Sequence, residues 1–554
     1  MQIVDDKVLL VKTTEPKTIT DNIKKSAVYR QDGDTYEVAV RWGLKETKAL
    51  MKLGIENPPS PIQKNYKWPG KHKPFDHQKT TASFLTLNDK AFCFNEQGTG
   101  KTASVIWAAD YLIKLGEIRR ILVLCPLSIM KAAWQQDLFT FAMHRSCSVA
   151  HGAAKQREKI IKAGNEFVIL NFDGLAVVED AVINGGFDLI VVDEASAYKN
   201  AQTNRWKVLS RIMNTIKPRL WMLTGTPAAQ SPLDAYGLAK LVNPDNCPKY
   251  YGSFRDQVMY KATQFKWVAK PQAEGIVHKV LQPAIRFERK DCLDLPDVTY
   301  MEREAPLTKM QMSYYKMLKD EMLFEAAGEE VSAINAATKI NKLLQISGGA
   351  VYTDTGEVIE FDVSNRLTAV LEVIEEASQK VLVFVPFTHT IQLLRERLEK
   401  EGISCDVING KVPVNRRSEI VQEFQTRKDP HVLIIQPQAA SHGLTLTAAN
   451  TVIWYAPVTS VETYLQANAR INRPGQKSNM TVVHIRGSDV EARLYHMLQH
   501  NITNHEKIID LYRQIATDSV AHLLTVNHAL ESAVGVGGDA AHTVGGRKGL
   551  SEAS

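Results

Sequence analysis

Continuous apolar runs recur in two series along this 554-residue chain, separated each time by amphipathic stretches of helical length. Ile121–Cys125, Phe167–Leu170, Leu189–Val192 and Leu220–Leu223 form the first series. Val381–Val385, Val432–Ile435, Thr451–Trp454 and Thr481–Ile485 form the second. A strand that is apolar on both sides needs cover on both faces, as a parallel sheet wrapped by crossover helices provides. The alternation therefore predicts an α/β fold with two tandem lobes, residues 71–245 and 366–520.

The flanking regions read differently. Residues 1–70 hold short runs rich in β-formers, Val8–Val11, Ser26–Tyr29 and Tyr36–Trp42, then a helix-like stretch and the breaker cluster Asn57-Pro-Pro-Ser-Pro61. They predict a small β-rich N-terminal accessory domain. Its Trp42, Tyr66 and Trp68 lie near Lys64, Lys67, Lys71 and Lys73. Such a cluster either packs a small core with lysines solvating it, the favoured reading, or stacks bases at a DNA fork or junction. Residues 246–365 are charged and aromatic-rich and predict a mainly helical inter-lobe insert. The Gly-, Ala- and Ser-rich 521–554 predicts a flexible tail.

Composition removes several classes. With 44% hydrophobic and 23% charged residues the chain has material for large cores. No apolar run approaches the roughly 20 residues that cross a bilayer. The N-terminus lacks the basic flank and apolar stretch of a signal peptide. No membrane partner and a cytoplasmic location are expected. Cys93, Cys125, Cys147, Cys247, Cys292 and Cys405 are scattered without metal-ligand spacing, so reduced, structural thiols are expected. The net charge of +6 is compatible with nucleic acid without requiring it.

Asn95-Glu-Gln-Gly98-Thr99-Gly100-Lys101-Thr102 follows the apolar run Ala91–Phe94 and precedes a helix-like stretch. Strand, glycine turn and helix together make a phosphate cradle. Backbone N–H groups wrap phosphate oxygens, Lys101 reaches the β/γ-phosphates, and the Thr102 hydroxyl ligates Mg²⁺. A stray Gly-Lys-Thr in a loop would lack that context. Asn95 departs from the usual glycine at the first position. Leu189-Ile-Val-Val-Asp193-Glu194 supplies the complement: Asp193 serves Mg²⁺ directly or through its water, and Glu194 orients or activates the attacking water. Two acids ending a strand in solvent is the plainer alternative. Farther on, Arg470 and Arg473 stand at i, i+3, a spacing that predicts one shared helical face and two arginine fingers. A surface ion-pair face is the alternative for them.

In this order the pieces resemble the Swi/Snf-type branch of the superfamily-two helicases and DNA translocases, over about residues 74–515. Phe75-Asp-His77-Gln78 resembles the adenine-recognising element, with Gln78 as base reader. Pro126-Leu-Ser128, then Trp134, is similar to motif Ia, and Asp193–Asn200 to motif II. Leu223-Thr224-Gly225-Thr226-Pro227 is similar to motif III, which couples hydrolysis to DNA binding. The run Phe287-Glu-Arg289-Lys290-Asp291, then Asp294-Leu-Pro296, resembles the inter-lobe stretch that separates this branch from RNA helicases. Val383–Phe387 resembles motif IV, Ser441–Ala449 motif V, and Gln466–Gln476 motif VI, with Asn472 where the family often has His. Gln230 stands where the family commonly has Asn.

The resemblance implies two RecA-like lobes and ATP with Mg²⁺ as cofactors. It adds Gly443 and Gln466 to the nucleotide site. Backbone-contacting positions for DNA are Ser128, Phe172, Asp173, Gly174, Ser441 and Thr445. The compact insert is most like phage-encoded members, such as a branch-migration helicase in the host cytoplasm, with branched or forked DNA as partner. Alternatives are a duplex translocase that displaces proteins without strand separation and a nucleotide-gated DNA-binding scaffold. A nuclease subunit is disfavoured by the lack of a further carboxylate–lysine cluster.

Overall fold

The computed structural model describes residues 1–500 apart from residues 71, 226–227, 229–230, 263–266, 293–295, 329–332, 353–356, 441–443 and 474. The expected tail, 521–554, lies outside the described residues. The chain divides into two compact units, one of residues 1–303 with 369–485, the other of residues 304–368 with 486–554.

The first unit begins with an antiparallel sheet of β1 (Gln2–Val4), β2 (Val8–Thr13), β3 (Ser26–Asp32) and β4 (Thr35–Arg41), in the order β1-β2-β4-β3. Alternate residues of β2 and β4 (Leu9, Val11, Val38 and Val40) point inward against Ile19, Ile23, Trp42 and Leu50. Edge strand β3 leaves Val28 and Tyr29 exposed. The Trp42 indole donates to the Pro59 carbonyl at 2.7 Å, and the Tyr66 hydroxyl to Asp110 at 2.5 Å. Trp68 packs edge-on against Tyr66 and Trp107. Trp42 and Tyr66 are buried core residues, and Trp68, partly buried, packs against the same core as Tyr66.

The next sheet contains β5 (Lys90–Cys93), β6 (Ile121–Cys125), β7 (Cys147–Ala150), β8 (Phe167–Asn171), β9 (Leu189–Asp193), β10 (Arg219–Leu223) and β11 (Ala284–Ile285). Its order is β11-β5-β10-β9-β6-β8-β7, and every pairing is parallel. The continuous apolar runs have a simple cause. Leu122, Leu124, Ile190, Val192, Leu220 and Met222 enter one core, while Ile121, Val123, Leu189, Val191, Trp221 and Leu223 enter another on the opposite face. Each such buried side chain contributes about 2 kcal/mol.

A second sheet holds β12 (Val298–Glu304), β13 (Lys380–Phe384), β14 (Cys405–Ile408), β15 (Val432–Ile435), β16 (Ala449–Trp454) and β17 (Met480–Arg486), in the order β12-β17-β16-β13-β15-β14. The pairings among β13 to β17 are parallel. Two parallel-sheet lobes are thus the fold predicted from the apolar runs, and the antiparallel N-terminal sheet is the small β-rich unit predicted from residues 1–70.

The other unit includes helices Lys309–Gly328, Ala333–Gly348 and Asp489–Gln499 and the hairpin Ala350–Tyr352/Val358–Glu360. It is fixed internally by a buried ion pair in which the Arg366 guanidinium meets both Glu491 carboxylate oxygens at 2.8 Å. Among the described residues, no helix is long and apolar enough to cross a membrane. All six cysteines are free thiols.

Candidate functional site

The order of the first sheet decides where chemistry is placed. β10 lies between β5 and β9, so the loops after these three parallel strands open along one edge. Asn95–Gly100 leaves β5 and passes into the helix Lys101–Lys114. Gly98 and Gly100 adopt φ of 84° and 77°, in the left-handed region that favours glycine. A Cβ at Gly100 would meet the end of the Gln78 side chain, which could shift, so it is the backbone conformation that calls for glycine here.

Gln78 closes that contact from the other side. Its amide donates to the Thr99 carbonyl at 3.2 Å and accepts from the Phe75 N–H at 3.0 Å. His77 meets the same Thr99 carbonyl at 2.8 Å and stacks on Phe75. The Lys101 ammonium donates to the Asn95 carbonyl at 2.7 Å and that of Glu96 at 3.3 Å, and so lies inside the mouth of the loop. Thr102 follows on the first turn of the helix, partly exposed.

Asn95, the departure from glycine, has a structural task. Its buried amide donates to Thr81 at 2.8 Å, and its oxygen accepts from the Phe287 N–H at 3.0 Å. The chain returning through β11 continues alongside the loop: Glu96 N–H donates to the Phe287 carbonyl at 2.9 Å, and Arg289 N–H to the Glu96 carboxylate at 3.0 Å.

Asp193 ends β9, with Glu194 beside it in a left-handed conformation, φ 53°. That backbone costs a non-glycine residue about 1 kcal/mol or more and is concentrated at functional sites. The Trp134 indole donates to one Asp193 oxygen at 2.9 Å, and the Glu194 N–H to the other at 3.0 Å. Burial raises the Asp193 carboxyl above the usual range, against the pull of Lys101. Burial and then Asp193 itself push Glu194 up. Motif III meets the loop too. Thr224 N–H donates to the Cys93 carbonyl at 3.1 Å, and a Cβ on Gly225 would lie 3.7 Å from Gln97. Thr226 lies outside the described residues.

Both arginines come to this edge from the second sheet, though not as predicted. The helix Val461–Asn468 stops before them, so they share no helical face. The turns fix the side chains another way: Arg470 Nε donates to the Gln466 carbonyl at 2.9 Å, and Arg473 Nε to that of Ala469 at 3.0 Å. Arg470 Nη2 reaches the Gln97 side-chain oxygen at 3.5 Å. A Cβ built on Gly98 would stand 3.4 Å from the Asn472 carbonyl oxygen and 3.6 Å from Arg473 Cγ. Burial, then Arg473, holds Arg470 well below its ordinary pKa. Burial lowers Arg473 to about 10, with Asp137 opposing.

Gln466 is buried and donates to Glu462 at 3.1 Å. Thr445 accepts from Arg473 Nη1 at 3.1 Å. Phe172, Asp173 and Gly174 begin the helix Phe172–Val177, with Phe172 buried against Tyr198 and Asp173 paired to Arg205 at 2.7 Å. Ser128 falls in the turn Leu127–Ile129, its side chain outside the described set, as are Ser441 and Gly443.

Sequence reasoning missed three groups here. Arg289 was read only as a branch marker, yet its guanidinium donates to the Asn472 carbonyl at 3.3 Å. Trp134 enters the sequence reading only through the likeness to motif Ia, not as a partner of Asp193. Asp137, at the start of the helix Gln136–Ala142, stands in the field of Arg473. None of the three has a local spacing that signals the site.

Residues 77–347 match the SNF2-related domain, and residues 365–475 match the helicase conserved C-terminal domain. The chain is 27% identical to the chromodomain-helicase-DNA-binding protein 1-like of Mus musculus, over 72% of this chain and 46% of that one. It is 25% identical to a putative protein, p41, of Acyrthosiphon pisum secondary endosymbiont phage 1, over 68% and 83%. The Sulfolobus solfataricus SWI2/SNF2 ATPase core in complex with dsDNA is similar at 23% identity over 78% of this chain and 92% of that one, with a TM-score of 0.39. The chain spans less than half the length of the first curated relatives it matches. Carrying these two domains in this order, it belongs to the Swi/Snf-type, SNF2-related branch of the superfamily-two helicases and translocases and holds that family's helicase/translocase core.

Proposed function

We propose that the chain hydrolyses ATP with Mg²⁺ in the pocket between its two parallel sheets and uses the cycle to move along DNA, remodelling or unwinding forks and junctions. One observation carries the reading. The glycine loop of the first sheet and the Arg470–Arg473 turns of the second occupy the same pocket, with Gly98 against Asn472 and Arg473.

The residues present fit the nucleotide and its metal. The two left-handed glycines carry the loop from β5 into the helix Lys101–Lys114, with the Lys101 ammonium held at the loop by the Asn95 and Glu96 carbonyls. A hydroxyl, Thr102, and a carboxylate, Asp193, are the hard oxygen donors that Mg²⁺ takes. When bound, Mg²⁺ neutralises charge on the β- and γ-phosphates. In this reading Lys101 and the loop N–H groups of Gly98, Thr99 and Gly100 hold the phosphates, and Glu194 orients the attacking water. Gln78 and Gln466 border the nucleotide, with Gly443 added by the family resemblance. Arg470 and Arg473 stabilise the charge that develops in transfer.

For DNA, the candidate contacts are the turn carrying Ser128, the helix start Phe172–Gly174, and Ser441 with Thr445, all meeting backbone phosphates rather than bases. In this reading Thr224 and Gly225, with Thr226 added by the family resemblance, couple DNA contact to hydrolysis. Support for DNA comes from the helicase and DNA-binding names of the relatives, and the phage relative supports a host-cytoplasmic enzyme. Preference for branched DNA draws support from β3, whose exposed Val28 and Tyr29 adjoin the exposed Lys24, Lys25 and Arg30.

Steady-state phosphate release, compared across single-stranded, duplex, forked and four-way DNA, tests this directly. Stimulation greatest on forks or junctions, lost in Lys101→Ala, is the expected result. Equal stimulation by linear duplex, with no strand displaced from forks, would leave duplex translocation in place of branch remodelling. Turnover indifferent to any DNA would sink the reading.

A further inference from the structure

The turn Leu127–Ile129 passes directly into one turn of π-helix, Met130–Gln135, before the α-helix Gln136–Ala142 begins. A π-turn inserts one residue and weakens the regular ladder, and such turns are found mostly where function needs a side chain off the helical register. Here the side chain is Trp134. It is completely buried, and its indole N–H ends 2.9 Å from Asp193 Oδ2. The second oxygen, Oδ1, accepts from the Glu194 N–H at 3.0 Å. Two donors on two different segments therefore fix the orientation of this one carboxylate.

Packing alone asks for less. A buried ring of this size fills the core equally well without a polar atom, whereas an indole N–H is purely a donor and here has an acceptor in the site. The same short segment also faces the opposite charge of the pocket, because Asp137, three residues on, opposes the lowering of Arg473. One continuous stretch thus hydrogen-bonds an acid of the first sheet and places a carboxylate in the field of an arginine of the second.

We infer that Trp134 is a positioning residue: its indole N–H orients Asp193 toward the metal, and the π-turn ties that orientation to the Leu127–Ile129 turn. The tie to DNA rests on the function proposed above; the contact with Asp193 does not. A tracked strand pressing on the turn shifts the π-turn and, through Trp134, the carboxylate. Stimulation by DNA then has a route to the metal site that runs along the π-turn and crosses one hydrogen bond, from Trp134 to Asp193.

The test removes the N–H while keeping the ring. In the full chain, Trp134 is replaced by phenylalanine and, separately, by benzothienylalanine, a bicyclic isostere that carries sulfur in place of the N–H. Binding of Mn²⁺ in the presence of ADP is followed by electron paramagnetic resonance, DNA affinity by fluorescence anisotropy, and folding by thermal unfolding. Loss of a partner that orients a metal-binding group typically weakens metal binding 10- to 100-fold. The expected result is about 10-fold weaker Mn²⁺ binding, unchanged DNA affinity and reduced DNA stimulation. If phenylalanine unfolds the chain, the isostere decides. Mn²⁺ affinity within about twofold of the parent, set against that expected loss, overturns the positioning role. Full DNA stimulation in a variant with weakened Mn²⁺ binding overturns the tie to the turn. A parent chain without DNA stimulation defeats the proposed function, yet leaves the Mn²⁺ comparison to judge Trp134.

Discussion

Arg289 donates through its guanidinium to the main-chain oxygen of Asn472, 3.3 Å away, while its own N–H is held by Glu96 at 3.0 Å. One residue of the inter-lobe segment therefore grips both the phosphate loop of the first sheet and the arginine turn of the second. The guanidinium is buried enough for its pKa to be lowered, with Glu96 opposing.

This predicts that Arg289→Gln weakens engagement of the two sheets without emptying the loop. A hydrogen bond from a charged donor contributes about 1.5 kcal/mol or more. Turnover should fall roughly tenfold on that scale, with the KM for ATP little changed. A raised KM at full kcat would assign Arg289 to nucleotide binding instead.

Arg473→Ala tests the finger role. Fingers of this kind contribute about 10³-fold or more to turnover. A drop of roughly that size is expected, with the affinity for a fluorescent ADP nearly kept, because the loop residues proposed to hold the nucleotide are untouched. Single-turnover hydrolysis separates this from slow product release.

Tyr29 is the most exposed large hydrophobic residue of the N-terminal sheet, at 69%. If β3 meets unpaired bases, Tyr29→Ala should reduce affinity for forks roughly tenfold relative to linear duplex, on a stacking scale of about 1–3 kcal/mol. Equal losses on both substrates would remove the idea. Deleting the whole region is a poorer experiment, because Leu44, Ile62 and Tyr66 belong to a core cluster of the first sheet.

Asp110 offers a stability prediction. Its side chain is fully buried on the helix that follows the loop, and Tyr66, Lys114, His144 and Arg145 all meet its carboxylate. Burial opposes the charge, but these hydrogen bonds outweigh it and hold the pKa below the usual range. A depressed carboxylate stabilises the fold above its unfolded pKa of about 3.9 and loses that contribution as pH falls through the lower folded value. Asp110→Ala should cost about 3 kcal/mol in urea unfolding near neutral pH, since the cationic partners are left behind. The gap between variant and parent should narrow in strong acid.

Much of this was legible in the residues. The apolar runs reported two covered parallel sheets because each strand, such as Ile121–Cys125, feeds cores on both of its faces. The glycine loop was legible because Gly98, Gly100 and Lys101 act through backbone conformation and spacing, which are local properties. What escaped notice was long-range. Arg289 and Asn472 are 183 positions apart, and Trp134 and Asp193 are 59 apart. No periodicity encodes such meetings.

The short strand β11 has a consequence for how this architecture tolerates growth. After leaving β10, the chain wanders through residues 224–283 and then rejoins the sheet on the far side of β5, bonded directly to the strand that launches the phosphate loop. Whatever length is spliced into that excursion, the exit toward the second sheet starts from the same anchor. Added modules would hang from the side of the sheet, leaving the pairing beside β5 unaltered.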